Sequence, residues 1–194
     1  MHRATVPALL LTLALATGCG GSDDPADPAD ASSPTASGGA SPSAPDDASG
    51  DPQDGATGIR LTMPHSTVVA PEGWKQGRQL SSGERSAEDP DSISFVSLGE
   101  IEAFGSGQGA DELGRTRIAS NMSPRTPKLL PVTTLDGVPV YHVAGWVTSY
   151  RWTEEFGAVR DDRIVTLVFS FDEKVSPEER QQVLDQVLPT FEWR

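Results

Sequence analysis

The strongest strand pattern in the chain lies in residues 138–171, VPVYHVAGWVTSYRWTEEFGAVRDDRIVTLVFSF. Apolar side chains fall on both faces of the segment 138–150, and the segment 163–171 behaves likewise. A strand that is apolar on both faces is typical of the centre of a sheet covered on each side. Asp161 and Asp162 form a good hairpin turn before the last segment. The stretch therefore predicts an antiparallel meander at the centre of a doubly covered sheet.

A helix is expected after this meander. Ser176 is a good N-cap, Pro177 suits the first helical position, and Glu179 can close a capping box. Over residues 177–188 the helix carries an apolar stripe that should pack on the sheet, formed by Val183, Leu184, Val187 and Leu188. Pro189 should end the helix, and residues 191–193 should return along the sheet.

The sequence before the meander also predicts strands and one helix. A polar loop is expected at residues 81–91 and a flexible glycine-rich link at residues 105–109. The helix expected over residues 110–122 presents a broad apolar face that Arg117 interrupts. Short strands are expected at residues 59–63, 66–70, 74–80 and 93–98. Together these elements predict an α+β fold, an antiparallel sheet flanked by helices, over residues 59–194.

The chain begins with a pattern typical of export. A basic start precedes an apolar run over residues 6–17, which is too short to span a bilayer and ends in small residues before Cys19, the only cysteine. Residues 1–18 resemble a bacterial lipoprotein signal peptide, with Ala16 where that family usually has Leu or Val. The resemblance implies that Cys19 carries the lipid that anchors the protein on the extracytoplasmic face of the cell membrane. An ordinary secretory signal with an incidental cysteine is the alternative.

Residues 19–58 are expected to form a lipidated cysteine followed by a disordered tether. From Gly20 to Gly58 the segment is rich in Asp, Pro, Ser, Gly and Ala and contains eight Asp but no aromatic residue, Val, Ile or Leu. Such a segment cannot bury enough apolar surface to offset its ordering entropy, and its charges repel one another. Cation binding by the Asp clusters is disfavoured because calcium sites need a fixed cage of oxygens.

The charge and composition exclude some classes of partner. The net charge is -13, and no basic stretch is visible that could follow a phosphate backbone, so nucleic acid is not expected as a partner. Arg accounts for twelve of the fifteen basic residues and Asn occurs once. This bias accompanies GC-rich genomes and suggests a high-GC Gram-positive, actinobacterial source.

The sequence contains no Gly-x-Ser-x-Gly or His-Glu-x-x-His motif and no cysteine besides Cys19, so no catalytic residue, metal ligand or cofactor is assigned. His65 follows a proline in a turn and should face solvent, whereas His142 lies in the strongest strand and is better interpreted as a hydrogen-bonded interior histidine than as a base. Glu154 and Glu155 resemble a carboxylate pair. As neighbours in a strand they should point to opposite faces, and their charge is interpreted as protection of a strand edge.

Three aromatic residues on adjacent strand segments are the remaining candidates for ligand binding. Trp146, Trp152 and Tyr150 could line a groove for an apolar or sugar ligand. Large rings in a sheet of this size more often fill the space under a covering helix, so core packing is favoured. The ligand-binding residues are therefore left unknown.

The order of these elements resembles the PsbP-like fold. The resemblance rests on element order and on three short motifs, Pro71-Glu72-Gly73-Trp74, Leu135-Asp136-Gly137-Val138 and Phe191-Glu192-Trp193. The fold occurs in an extrinsic photosystem subunit, a nuclear-import accessory factor and cell-envelope lipoproteins of the LpqN/LpqT kind. It implies a non-catalytic accessory or binding role, with another envelope component as partner. A carrier of a small apolar or lipid ligand is the alternative, and an enzyme of unrecognised type comes third.

Overall fold

The computed structural model describes residues 55–79, 81–103 and 107–194. The segment predicted as a signal peptide, Cys19 and the predicted tether as far as residue 54 lie outside these residues. Leu80, at the end of one expected strand, and the middle of the glycine-rich link also lie outside them. No helix among the described residues is long and apolar enough to cross a membrane.

Ten strands and two helices make up the described chain. The bounds are β1 Arg60–Thr62, β2 Ser66–Val69, β3 Lys75–Gln76, β4 Glu84–Glu88, β5 Phe95–Glu102, α1 Ala110–Ala119, β6 Lys128–Leu135, β7 Val138–Trp146, β8 Arg151–Arg160, β9 Arg163–Asp172, α2 Pro177–Val187 and β10 Glu192–Trp193, with a 3-10 turn at Leu188–Thr190 before β10.

The strands form two antiparallel sheets. The larger sheet has seven strands in the order β3-β4-β5-β9-β8-β7-β6, and the smaller has three in the order β1-β2-β10. The meander β7-β8-β9 is confirmed, and all three of its strands have neighbours on both sides. Asp161 and Asp162 have positive φ angles of 48° and 58°, the left-handed backbone that a two-residue type I′ hairpin requires. The aspartate turn therefore closes the hairpin as expected.

Both faces of the larger sheet are covered near its centre. On one face, the main core joins side chains of β5, β7, β8 and β9 to Leu184 and Val187 of α2 and to Leu61 and Val68 of the smaller sheet. On the other face, α1 covers a smaller cluster that includes Leu113, Tyr141 and Val143. The two clusters confirm the doubly covered sheet.

Helix α2 begins as the sequence indicates. The Ser176 side chain accepts a hydrogen bond from the Glu179 backbone N–H, and the Glu179 side chain accepts one from the Ser176 backbone, which completes the capping box. The residues after the helix depart from the prediction, because β10 pairs with β2 in the smaller sheet. Phe191, just before β10, is buried in the main core and fixes this path.

Several local predictions are wrong. The expected loop at residues 81–91 contains β4, whose sequence ERSAE has one buried side chain, Ala87, and so lacks a recognisable apolar alternation. Strand β6 was not assigned, because it contains Pro131 and a register shift between Leu130 and Thr133, features that an edge strand tolerates. Helix α1 ends at Ala119, which leaves Met122 exposed. Of the strand expected at residues 74–80, only Lys75–Gln76 pairs.

The folded part of the chain starts before Ile59. The backbone N–H of Ala56 donates to the carbonyl of Gln186 at 2.8 Å, and that of Gly58 donates to the carbonyl of Ala70 at 3.0 Å. Ala56 also packs against the main core. Residues 55–58, which the composition assigned to the tether, therefore belong to the domain.

Two deletions should separate the tether from the domain. Removing residues 20–54 should leave the thermal unfolding midpoint almost unchanged, because this segment has no large apolar side chain to add to the core. Extending the deletion through Gly58 removes the two hydrogen bonds above and should lower the midpoint by about 2–4 °C. Calorimetry of both deletions measures this. A large loss from the shorter deletion would mean that the tether packs on the domain.

The packing of α2 can be tested with a matched pair of substitutions on one helix. Leu184 is buried, so Leu184→Ala should lower the free energy of unfolding by about 2–5 kcal/mol. Gln181 is exposed on the same helix, and Gln181→Ala should change it by less than about 0.5 kcal/mol. Urea titration of both variants gives the two values. Equally small effects would show that α2 does not hold the core together.

Candidate functional site

An open cleft of about 420 Å³ lies between α2 and the strands β6, β7 and β8. Its size falls within the range of small-ligand sites. An apolar wall comes from Phe156, Leu184 and Leu188. The polar side chains that line it are Thr133, Thr134, Asp136, His142, Glu154 and Gln181.

His142 and Glu154 form a fixed pair in this cleft. His142 Nε2 lies 3.0 Å from Glu154 Oε2, and the imidazole ring stacks on Phe156 with the ring centroids 4.3 Å apart. The other carboxylate oxygen of Glu154 accepts a hydrogen bond from Trp152 Nε1 at 3.3 Å. His142 is thus hydrogen-bonded as expected but only partly buried, since the side chains of His142 and Glu154 are 20% and 14% exposed.

Arg180 is the residue of this region that the sequence analysis missed. It points inward from α2 and is only 8% exposed, with its guanidinium carbon 4.3 Å from the Trp152 ring and 5.8 Å from the Trp146 ring. Its Nη1 has no hydrogen-bond partner among the described residues. Burial lowers the pKa of Arg180, and the nearby charge of Glu154 opposes that shift. Arg180 lies one turn before Leu184, so its place on the apolar stripe was the available signal.

The aromatic residues behave largely as the packing interpretation expects. Trp146 and Trp152 meet edge to face across neighbouring strands, with the ring centroids 5.6 Å apart, under α2. Tyr150 does not join them, since it is half exposed in the turn between β7 and β8. Both tryptophan rings thus pack against the Arg180 guanidinium, and Trp152 also donates to Glu154.

Glu155, next in sequence, belongs to a separate network on the opposite face. Arg117 Nε of α1 donates to its two carboxylate oxygens at 2.7 and 3.0 Å, and Tyr141 Oη donates to Oε1 at 2.5 Å. Burial, followed by the charge of Glu155, raises the pKa of Tyr141. The Tyr141 ring lies over Gly157, where a Cβ atom would come within 2.7 Å of it. Arg117 interrupts the apolar face of α1 because it reaches this buried carboxylate.

The two adjacent glutamates therefore point to opposite faces, as expected. Their interpretation as edge charges is wrong, because β8 is paired on one side with β7 and on the other with β9. Glu155 is buried and Glu154 is partly buried, and specific donors hold each carboxylate, which is how a charge is tolerated away from water.

His65 was expected to face solvent, but its side chain is held by Glu100. Its Nδ1 lies 3.0 Å from Glu100 Oε2, and its backbone N–H donates to Oε1 of the same carboxylate at 3.0 Å. Ser66 Oγ also donates to Oε1 at 2.7 Å. Because Glu100 lies in β5, this network joins the smaller sheet to the larger one. In the described part of the chain no three His, Cys, Asp or Glu side chains come together in a way that could hold a metal ion.

Comparison with known proteins gives a fold but no family. No protein-family model and no curated protein matches the chain. The solution structure of cyanobacterial PsbP (CyanoP) from Synechocystis sp. PCC 6803 matches with a TM-score of 0.51 and 16% sequence identity, over 70% of this chain and 92% of that one. The chain thus has a PsbP-like fold, and at this identity the likeness shows the fold alone.

A second solved structure also matches the chain. It is a crystal structure from Bacteroides thetaiotaomicron VPI-5482, with a TM-score of 0.49 and 14% identity over 71% of this chain. The match spans only 48% of the Bacteroides chain, about half its length.

The Tyr141 network predicts a pH dependence of stability. An unfolded tyrosine loses its proton near pH 10, whereas folded Tyr141 keeps it because its pKa is raised. The contribution of this group is therefore complete below about pH 10 and declines by about 1.4 kcal/mol per pH unit above it. Urea titrations at several pH values above and below pH 10 measure the free energy of unfolding. Above about pH 10 it should fall less steeply with pH for Tyr141→Phe than for the parent protein. Equal slopes for the two proteins would contradict the buried, protonated phenol.

Proposed function

We propose that this protein is a lipoprotein anchored at Cys19 on the extracytoplasmic face of the cell membrane, whose domain is a non-catalytic binding or accessory module for another envelope component. The observation that carries the anchoring is the position of the single cysteine, directly after a short apolar run with a basic start. The acidic, apolar-poor segment between Cys19 and the domain is suited to hold the domain away from the membrane surface.

The binding role is supported by the fold and by the cleft beside α2. The resemblance in element order to the PsbP-like fold, which includes envelope lipoproteins of the LpqN/LpqT kind, implies a non-catalytic accessory role. The cleft residues best suited to act as a general acid or base are His142 and Glu154, and these are already paired with each other. No serine, threonine or cysteine nucleophile is hydrogen-bonded to His142 in the described residues, so the cleft is better suited to binding than to nucleophilic catalysis.

A carrier of a small apolar or lipid ligand is the second candidate. It is favoured by a groove of about 390 Å³ on the α1 face of the sheet, lined mainly by apolar side chains that include Ile101, Leu113, Ile164 and Val168. Native mass spectrometry of the purified protein tests this candidate. A bound apolar molecule that is lost in Val168→Asp would support it, and a ligand-free mass would count against it.

The anchoring is tested by Cys19→Ser, which removes the thiol that accepts the lipid. The variant should lose fatty-acid labelling and should leave the membrane fraction for the medium or remain as uncut precursor, since two or more acyl chains are needed for stable anchoring. Ser22→Ala, three residues further on, is the matched control and should label normally. Equal labelling and membrane retention of Cys19→Ser would exclude the assignment.

The binding role is tested by crosslinking in cells. A photo-reactive amino acid at Gln181, exposed on the rim of the α2 cleft, should capture an envelope component. The same amino acid at Met122, which is 98% exposed near the end of α1, is the control. Capture at both positions or at neither would contradict binding through the α2 cleft.

A further inference from the structure

We infer that the α2 cleft binds a neutral, hydroxyl-rich ligand such as a sugar unit. This inference deepens the proposed binding role and rests on it, since it names the chemical class that the same cleft would accept. Two observations support it: the polar side chains that line the cleft, and the hydrogen bonds that these side chains already make.

Charged ligands fit the cleft poorly. No arginine or lysine side chain lines it, because the unpartnered Nη1 of Arg180 is buried, and the imidazole of His142 is already bonded to Glu154. An anion in the cleft would therefore meet carboxylates without a cation in reach. A metal ion would need several free oxygens. Among the described residues no three His, Cys, Asp or Glu side chains come together, so the cleft offers no cage of ligands for a metal ion.

An entirely apolar ligand also fits poorly. It would remove water from the polar side chains that line the cleft and give them no hydrogen bond in return, which costs free energy for each group. The apolar groove on the α1 face offers such a molecule a better surface, because the polar groups at its floor are already bonded to one another.

A hydroxyl group matches the lining because it can both donate and accept. Each carboxylate oxygen has a second lone pair, so Glu154 and Asp136 can accept from ligand hydroxyls in addition to their present donors. The hydroxyls of Thr133 and Thr134 and the amide of Gln181 can donate or accept in turn. Leu184 and Leu188 give the C–H face of a sugar ring an apolar wall.

Trp152 positions the acceptor in this arrangement. The guanidinium of Arg180 stacks on the ring of Trp152, and the Nε1 of the same ring donates to Glu154, so Trp152 holds both side chains in place. The Glu154 side chain is thus fixed on one side by His142 and Trp152 and lines the cleft on the other.

Amide chemical shifts of the isotope-labelled full chain carrying Cys19→Ser test this inference. Glucose, mannose, galactose and arabinose are added separately at about 50 mM, enough to fill a site with a millimolar Kd. At least one sugar should shift the amides of Thr133, Thr134 and Gln181 saturably. Sodium phosphate, tetramethylammonium and octanoate represent the anionic, cationic and apolar alternatives and should leave these amides unchanged.

Variants then assign the response to the cleft. Glu154→Gln and Thr134→Ala should each weaken sugar binding, the former by about tenfold or more, because a charged acceptor is lost. Thr134 is exposed, so its variant remains informative if Glu154→Gln disturbs folding. Gln182→Ala, exposed on α2 outside this cleft, should bind as the parent does.

The inference is overturned if none of the sugars shifts the cleft amides, if the shifts survive both lining variants, or if a control compound produces them more strongly. Crosslinking from Gln181 separates this outcome from failure of the proposed function. A captured partner without any sugar response would leave the binding role intact and remove only the ligand class.

Discussion

The arrangement of the domain depends on two adjacent carboxylates that a central strand sends to opposite faces. Glu154 and Glu155 lie in β8, between β7 and β9, and both are largely removed from water. A slip of one residue in the pairing of β8 would exchange the two faces and separate both carboxylates from their donors. Because a buried charge without partners is very costly, the two glutamates fix the register of the meander.

Each carboxylate also connects the meander to one face of the molecule. Glu155 accepts from Arg117 of α1 and from Tyr141, so α1 is held on the sheet by a polar contact besides its small apolar cluster. Glu154 lies under α2, where large aromatic rings and Arg180 separate the start of the helix from the sheet. On the α1 side the polar groups are therefore bonded to one another beneath an apolar groove, whereas the α2 side keeps an open cleft lined with polar groups.

The sequence predicted those features that arise from regular apolar alternation or from short-range turn and cap chemistry. The meander, the aspartate hairpin and the capping box at Ser176 belong to this class. Strand β4 and strand β6 were missed because their pairing depends on neighbours in the sheet, which a nearly polar or proline-containing segment does not reveal. The candidate site was missed for a similar reason, since Arg180 and Glu154 look like surface residues until the sheet brings them together. Residue spacing could show that the two glutamates point to opposite faces, but it could not show that both carboxylates are largely removed from water.

A double-mutant cycle between Arg117 and Glu155 tests most directly whether these carboxylates organise the fold. The free energy of unfolding is measured by urea titration for the parent, Arg117→Leu, Glu155→Leu and the double variant. Arg117→Leu leaves the buried Glu155 charge with Tyr141 as its donor, and Glu155→Leu leaves the buried Tyr141 hydroxyl without its acceptor, so each single variant should be destabilised. The double variant should recover a coupling energy of about 2 kcal/mol. If the losses of the two single variants sum to that of the double variant within about 0.5 kcal/mol, the account is contradicted. Arg117 and Glu155 would then not stabilise each other.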